Sequence, residues 1–180
     1  MKKYNIPFSP PDITEEEINE VVDTLKSGWI TTGPKTKELE KRLSEYTTTP
    51  KTVCLNSATA ALELVLRVLG IGKGDEVIVP ALTYTASCSV IYHVGAKAVM
   101  VDIQTDNAEM DYSKLADAIT PRTKAVIPVD LAGIPCDYDK IFEVVESKKE
   151  LFEANSIYQE KLGRVAVIAD GAHALGSEYK

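Results

Sequence analysis

GDEVIVPALTYTAS, Gly74 to Ser87, is the stretch on which the fold turns. Within it, Glu76–Pro80 is an apolar run too short for a helix. A strand with one wet face alternates polar and apolar residues. A short strand apolar almost throughout is covered on both faces, as in a parallel sheet. After Pro80 the pattern turns helical, at about Tyr84–His93.

Outward from this unit the alternation repeats. Candidate strands are Thr52–Leu55, Lys97–Val101, Lys124–Val129 and Val165–Ala169, separated by helical patterns at Ala58–Leu69, Ser113–Ala118 and Tyr138–Asn155. This order predicts an α/β fold, a mostly parallel sheet flanked by helices. The first fifty residues read differently. Thr14 and Glu17 form a capping box, Ile18, Val21, Val22 and Leu25 share a helical face, and Gly28 suits the helix end. The turn-rich SGWITTGP (Ser27–Pro34) follows, then a second amphipathic helix through Leu39, Leu43 and Tyr46. Two parts are expected: residues 1–50, helical with a turn, and 51–180, the α/β part. The polar Lys148–Lys161 stretch reads as an extended helix end or a surface insertion. Gly70–Gly74 follows a helix and matches neither GxGxxG nor GxxxxGK[ST], so it reads as a helix-ending turn.

Composition narrows the function classes. Hydrophobic residues make up 44% and charged residues 26% of 180, with a net charge of −7 and no Lys/Arg stripe. Such a chain repels phosphodiester backbones, so nucleic acid is not an expected partner. No apolar stretch approaches membrane-spanning length, and Met1–Thr14 lacks the apolar run of a signal peptide. Cys54, Cys88 and Cys136 show no paired spacing and read as reduced, mostly buried thiols of a cytoplasmic protein.

Ligands of parallel sheets collect beyond the carboxyl ends of the strands. That directs attention to Asn56–Ala60, Ala81–Tyr84, Asp130–Gly133 and Asp170–His173. Ser57, Ala58 and Thr59 open a helix whose free N–H groups suit a phosphate, although taken alone a plain N-cap is the better explanation. Asp170 ends a buried strand, where a carboxylate needs a cation or several donors. A protonated heterocyclic nitrogen is one such partner; a helix cap beside a core His173 is the structural alternative. Tyr84 offers a ring to stack on a cofactor or simply to fill the core, and Trp29 stands beside the Gly33-Pro34 turn. A metal site is not expected, because the only other histidine, His93, lies on another element. A serine hydrolase lacks its G-x-S-x-G elbow.

Six segments occur in order: SGWITTGP, NSATAAL (Asn56–Leu62), GDEVIVPALTYTAS, Val101-Asp102, TPRTKAVIPVDLAG (Thr120–Gly133) and ADGAHALGS (Ala169–Ser177). Together they resemble the DegT/DnrJ/StrS family of sugar aminotransferases, whose large domain has the type I pyridoxal-phosphate (PLP) transferase fold. The resemblance implies pyridoxal 5'-phosphate as cofactor. It implies that Ala58 and Thr59 hold the phosphate, Tyr84 stacks on the pyridine ring, Asp170 pairs with the ring nitrogen and His173 sits by the phenolic oxygen. Ile30, Thr31, Thr32 and Gly33 match a substrate-contacting stretch that often reaches across a homodimer. The implied activity moves an amino group, from glutamate, to a keto carbon of a nucleotide-linked sugar, for surface polysaccharide or lipid modification. The wording of SGWITTGP, SATA and HALGSEY is closest to members acting at C-4.

The family's Schiff-base lysine lies beyond Lys180. The chain is therefore expected to be a truncated large domain with no catalytic residue of its own and no activity alone. Two alternatives stand beside this expectation: a sugar 3-dehydrase of the same family, and a non-catalytic binding or assembly module.

Overall fold

The computed structural model describes residue 7 and residues 10–180, so the signal-peptide reading of Met1–Thr14 falls mostly outside the described residues. The chain forms two compact units, one running to Cys54 and one spanning Leu55–Lys180. Among the described residues no helix is long and apolar enough to cross a membrane.

In the N-terminal unit, helix α1 (Glu15–Ser27) starts at the Thr14–Glu17 capping box and ends on Gly28, whose φ of 73° is left-handed. Helix α2 (Pro34–Tyr46) has Pro at its start and Gly33 as its N-cap. Lys35 of α2 reaches Asp23 of α1 at 2.8 Å and also pairs with Glu20. Between the helices the Trp29 indole lies against Gly33, where a Cβ would stand 2.2 Å from Nε1. A side chain at 33 would displace the indole, whose Nε1 donates to the Thr32 carbonyl at 3.1 Å.

The expected strand Thr52–Leu55 does not form. The Cys54 N–H donates to the Glu40 carboxylate at 2.9 Å, and the Thr52 hydroxyl pairs with Ser44 at 2.8 Å. Side chains thus take the place of a neighbouring strand.

The second unit runs α3 (Ala58–Val68), β1 (Glu76–Pro80), α4 (Thr85–His93), β2 (Lys97–Val101), α5 (Tyr112–Ala118), β3 (Thr123–Val126), α6 (Tyr138–Ser147), α7 (Ile157–Leu162) and β4 (Ala166–Val167). The four strands lie in the order β2-β1-β3-β4, every pairing parallel. Alternation along β1 assigns its side chains to the two faces. Val77 and Val79 pack with Leu62 and Leu66 of α3 and with Val90 and Ile91 of α4. Ile78 packs on the other face with Leu115 of α5 and with Ile141 and Val145 of α6. Each of these fully buried side chains contributes roughly 1.5–3 kcal/mol. The result is a three-layer α/β/α sandwich, which is why the apolar strands predict the class correctly.

The inner strands lose regularity toward their carboxyl ends. Pro128 has no N–H for a ladder, so β3 stops at Val126 instead of Val129. Pairing nevertheless continues: Asp170 N–H donates to the Pro128 carbonyl at 2.9 Å, and Asp130 N–H to the Asp170 carbonyl at 3.1 Å. At the opposite end of β1, Glu76 is 2% exposed. Its carboxylate accepts from the Thr120 hydroxyl (2.7 Å), Arg122 (2.9 Å) and Lys97 (3.1 Å).

The helix expected over Tyr138–Asn155 ends at Ser147, so Lys148–Lys161 is not an extension of that helix. Most of its side chains are nevertheless on the surface, and it is anchored to the turn after α3 by three of them. Ser156 Oγ and Gln159 Nε2 both donate to the Leu69 carbonyl, at 2.7 and 2.9 Å, and Asn155 Nδ2 donates to Asp75 at 2.7 Å. Gln159 is 1% exposed. A buried amide satisfied in this way is a polar staple, which a polar composition conceals.

Candidate functional site

The sheet order reverses direction between β1 and β3, since β2 lies outside one and β4 outside the other. At such a switch point the segments leaving the two strands diverge and open a crevice beyond their carboxyl ends. A cavity of about 300 Å³ lies there. Residues following β1 (Thr83, Tyr84), β3 (Asp130) and β4 (Asp170, His173) line it, together with Ala58 and Thr59 at the start of α3. The five residues singled out in this unit from the sequence thus meet in one cavity.

The start of α3 is capped by Ser57, whose hydroxyl accepts from Ala60 N–H at 3.1 Å. Helix geometry leaves the Ala58 and Thr59 amides without intrahelical acceptors, and the aligned peptide dipoles make this end partly positive. Tyr84 is the N-cap residue of α4 and makes no side-chain capping bond. It is 78% exposed, so the alternative of core packing is excluded.

Asp170 is 8% exposed. Its Oδ2 accepts from the Ser87 hydroxyl at 2.7 Å, and Oδ1 from the Ala172 amide at 3.3 Å. Ser87 is itself fully buried and shares a 2.8 Å hydrogen bond with the Thr83 hydroxyl. With its own proton committed to Asp170, the Ser87 oxygen accepts from Thr83. His173 accepts at Nδ1 from the Ala132 amide at 3.2 Å. It is not a core histidine but a cavity-lining one.

Thr83 and Asp130 fall in segments selected from the sequence but were given no role there, and Ser87 lies outside those segments. Thr83 and Ser87 stand in the TYTAS segment, where small hydroxyl residues read as helix-start chemistry. Asp130 follows a strand, the position that marks Asp170, but no cation or motif distinguished it. Beside it, burial pushes the Cys136 thiol up to about 12, so it stays protonated and inert. Ile30, Thr31 and Gly33 line a concavity of the N-terminal unit. Thr32 contributes its carbonyl to Trp29. Lys180 pairs with Asp139 and does not line the cavity.

A planar heteroaromatic ring bearing a phosphate suits this donor set. The unpaired amides of α3 suit the anion, the exposed Tyr84 ring offers a stacking face, and the buried Asp170 carboxylate suits a cation.

Known proteins share this chain's sequence pattern and fold. Residues 11–180 match the model of the DegT/DnrJ/EryC1/StrS aminotransferase family. The UDP-4-amino-4-deoxy-L-arabinose–oxoglutarate aminotransferase of Shewanella sediminis is 45% identical over 180 residues, all of this chain and 42% of its own length. The spore coat polysaccharide biosynthesis protein SpsC of Bacillus subtilis is 41% identical over 99% of this chain and 42% of its own length. A Streptococcus pneumoniae protein assigned as a sugar aminotransferase, Spr1654, has been solved in PMP, apo and PLP forms. Its PMP form superimposes with a TM-score of 0.97 at 72% identity, covering 98% of this chain and 45% of that one. The chain thus spans less than half the length of the relatives it matches, and its sheet and helices are those of their N-terminal part. The chain belongs to the DegT/DnrJ/EryC1/StrS aminotransferase family.

Proposed function

We propose that the protein binds pyridoxal 5'-phosphate in the switch-point cavity and moves an amino group from glutamate to the C-4 keto carbon of a nucleotide-linked sugar, in the building of surface polysaccharide or lipid. Asp170 carries this reading. A carboxylate so far removed from water needs donors or a cation; Ser87 and the Ala172 amide supply two donors, and a protonated pyridine nitrogen is a cation that suits its cavity side. When bound, the cofactor supplies an electron sink for a carbon that loses its proton. Asp170 keeps the ring nitrogen protonated, because the adjacent negative charge favours the charged form. Ser87 orients that carboxylate, the Ala58 and Thr59 amides with the Thr59 hydroxyl hold the phosphate, and Tyr84 covers a ring face. Ile30, Thr31, Thr32 and Gly33 contact the sugar nucleotide.

The choice of C-4 and of glutamate rests on the name of the Shewanella relative, a 4-amino-4-deoxy sugar–oxoglutarate enzyme. The surface-polysaccharide setting rests on that of SpsC. A cytoplasmic homodimer, expected from the family resemblance and from three unpaired cysteines, belongs to the same proposal.

Replacing Asp170 in the full-length protein tests it. Asp170→Ala should abolish glutamate-dependent amination of a UDP-4-keto-sugar. Asp170→Asn should lower turnover on the order of 100-fold, the scale of losing one group aimed at developing charge. Near-normal turnover in Asp170→Asn rejects the role.

A further inference from the structure

Asp130 is buried at 7% exposure, carries a carboxylate into the cavity lining, and has no part in the chemistry proposed above. Its contacts are specific. Oδ1 accepts from the Cys136 amide at 2.9 Å, and the Tyr138 hydroxyl donates between Oδ1 (2.8 Å) and Oδ2 (2.9 Å). The carboxylate therefore closes the neck of the loop between residues 130 and 136. Burial, and then the hydrogen bond to Asp130, raise the Tyr138 hydroxyl well above the usual phenol range, so it remains a donor.

Inside that loop Ala132 stands at φ 57°, ψ 22°, a left-handed conformation that a Cβ-bearing residue adopts at a cost of about 1–2 kcal/mol. Something must hold the turn there. The consequence is that the Ala132 amide points at His173 and donates to Nδ1 at 3.2 Å. The loop also docks on the segment carrying His173: Ser177 Oγ donates to the Gly133 carbonyl at 2.7 Å. Both ends of the amide–imidazole contact thus grow from one anchored point, the Asp130 amide on the Asp170 carbonyl.

We propose that Asp130 is a positioning residue, whose clasp on Cys136 and Tyr138 holds the strained Ala132 turn so that His173 is kept as the Nε2–H tautomer. An imidazole that accepts at Nδ1 carries its proton at Nε2. His173 is thereby preset as a hydrogen-bond donor from Nε2 to an oxygen of the cavity's occupant. That last step, and only that step, rests on the cofactor reading above.

In the full-length cofactor-free protein, long-range nitrogen–proton NMR correlation reads the His173 ring, identified by the signal that His173→Gln removes. The spectra are recorded at about pH 8.5, about two units above the ordinary imidazole value. His173 should show unprotonated Nδ1 and protonated Nε2 without tautomer averaging. In Asp130→Ala the nitrogen shifts should move toward averaging, and the Ala132 amide should exchange about tenfold faster, the scale of losing one hydrogen bond. Asp130→Asn, which still accepts from Cys136, should restore both readouts. Tyr138→Phe should give an intermediate exchange rate, and it carries the test if Asp130→Ala does not fold. Averaged His173 nitrogens in the wild type, or unchanged shifts and exchange in folded variants, overturn the proposal. A separate PLP titration reads the cofactor assignment, so PLP failing to bind a protein with a fixed His173 tautomer would reject only that assignment.

Discussion

Ser87 and Asp170 lie 83 residues apart and share a 2.7 Å hydrogen bond. One sits on the helix after β1, the other beyond β4, with β3 between the two strands in the sheet. The bond stitches together the lips of the switch-point crevice and sets the Asp170 carboxylate before any ligand arrives.

Removing the serine hydroxyl isolates this contribution. Ser87→Ala leaves Asp170 Oδ2 without its side-chain donor in a site largely closed to water. It should destabilise the fold by about 1–3 kcal/mol in urea unfolding. An unchanged midpoint would show that water replaces the hydroxyl and that the bond orients the carboxylate without stabilising the chain.

Tyr84 should behave in the opposite way. It is highly exposed and caps nothing, so Tyr84→Ala should leave stability within about 0.5 kcal/mol of the wild type. Loss of a stacking surface should nonetheless weaken PLP binding several-fold, to about tenfold at most. Thermal unfolding and a PLP fluorescence titration on the same variant separate the two effects. Equal PLP affinity would remove Tyr84 from the cofactor site.

Glu76 governs acid stability from the other end of the sheet. Burial works to raise its carboxyl, but hydrogen bonds from Thr120, Arg122 and Lys97 prevail and hold it at about 2. A carboxylate lowered on folding stabilises the protein above its unfolded value, and that stabilisation fades as pH falls toward the folded one. The wild type should therefore exceed Glu76→Gln by about 3 kcal/mol near neutrality. The gap should close between about pH 4.5 and 2. A gap independent of pH, measured by urea unfolding across that range, would assign the loss to packing instead of charge.

Local pattern alone determined much of this protein. The Thr14–Glu17 box, the Gly28 cap, β1 and β2 to the residue, and the α/β class follow from contacts within a few positions and from short apolar runs, of which β1 is buried throughout. Because a parallel sheet presents its carboxyl ends to one side, the residues after the strands could be chosen as site candidates before their neighbours were known. Other features were decided by the tertiary structure. Thr52–Leu55 has the composition of a strand but spends its backbone on Glu40. In the polar 148–161 stretch Gln159 is buried only because Leu69 has a carbonyl to satisfy. Ser87 and Asp130 acquire roles only from partners that the fold brings near. Hydrogen bonds between residues far apart leave no periodicity along the chain, so no local pattern could announce them.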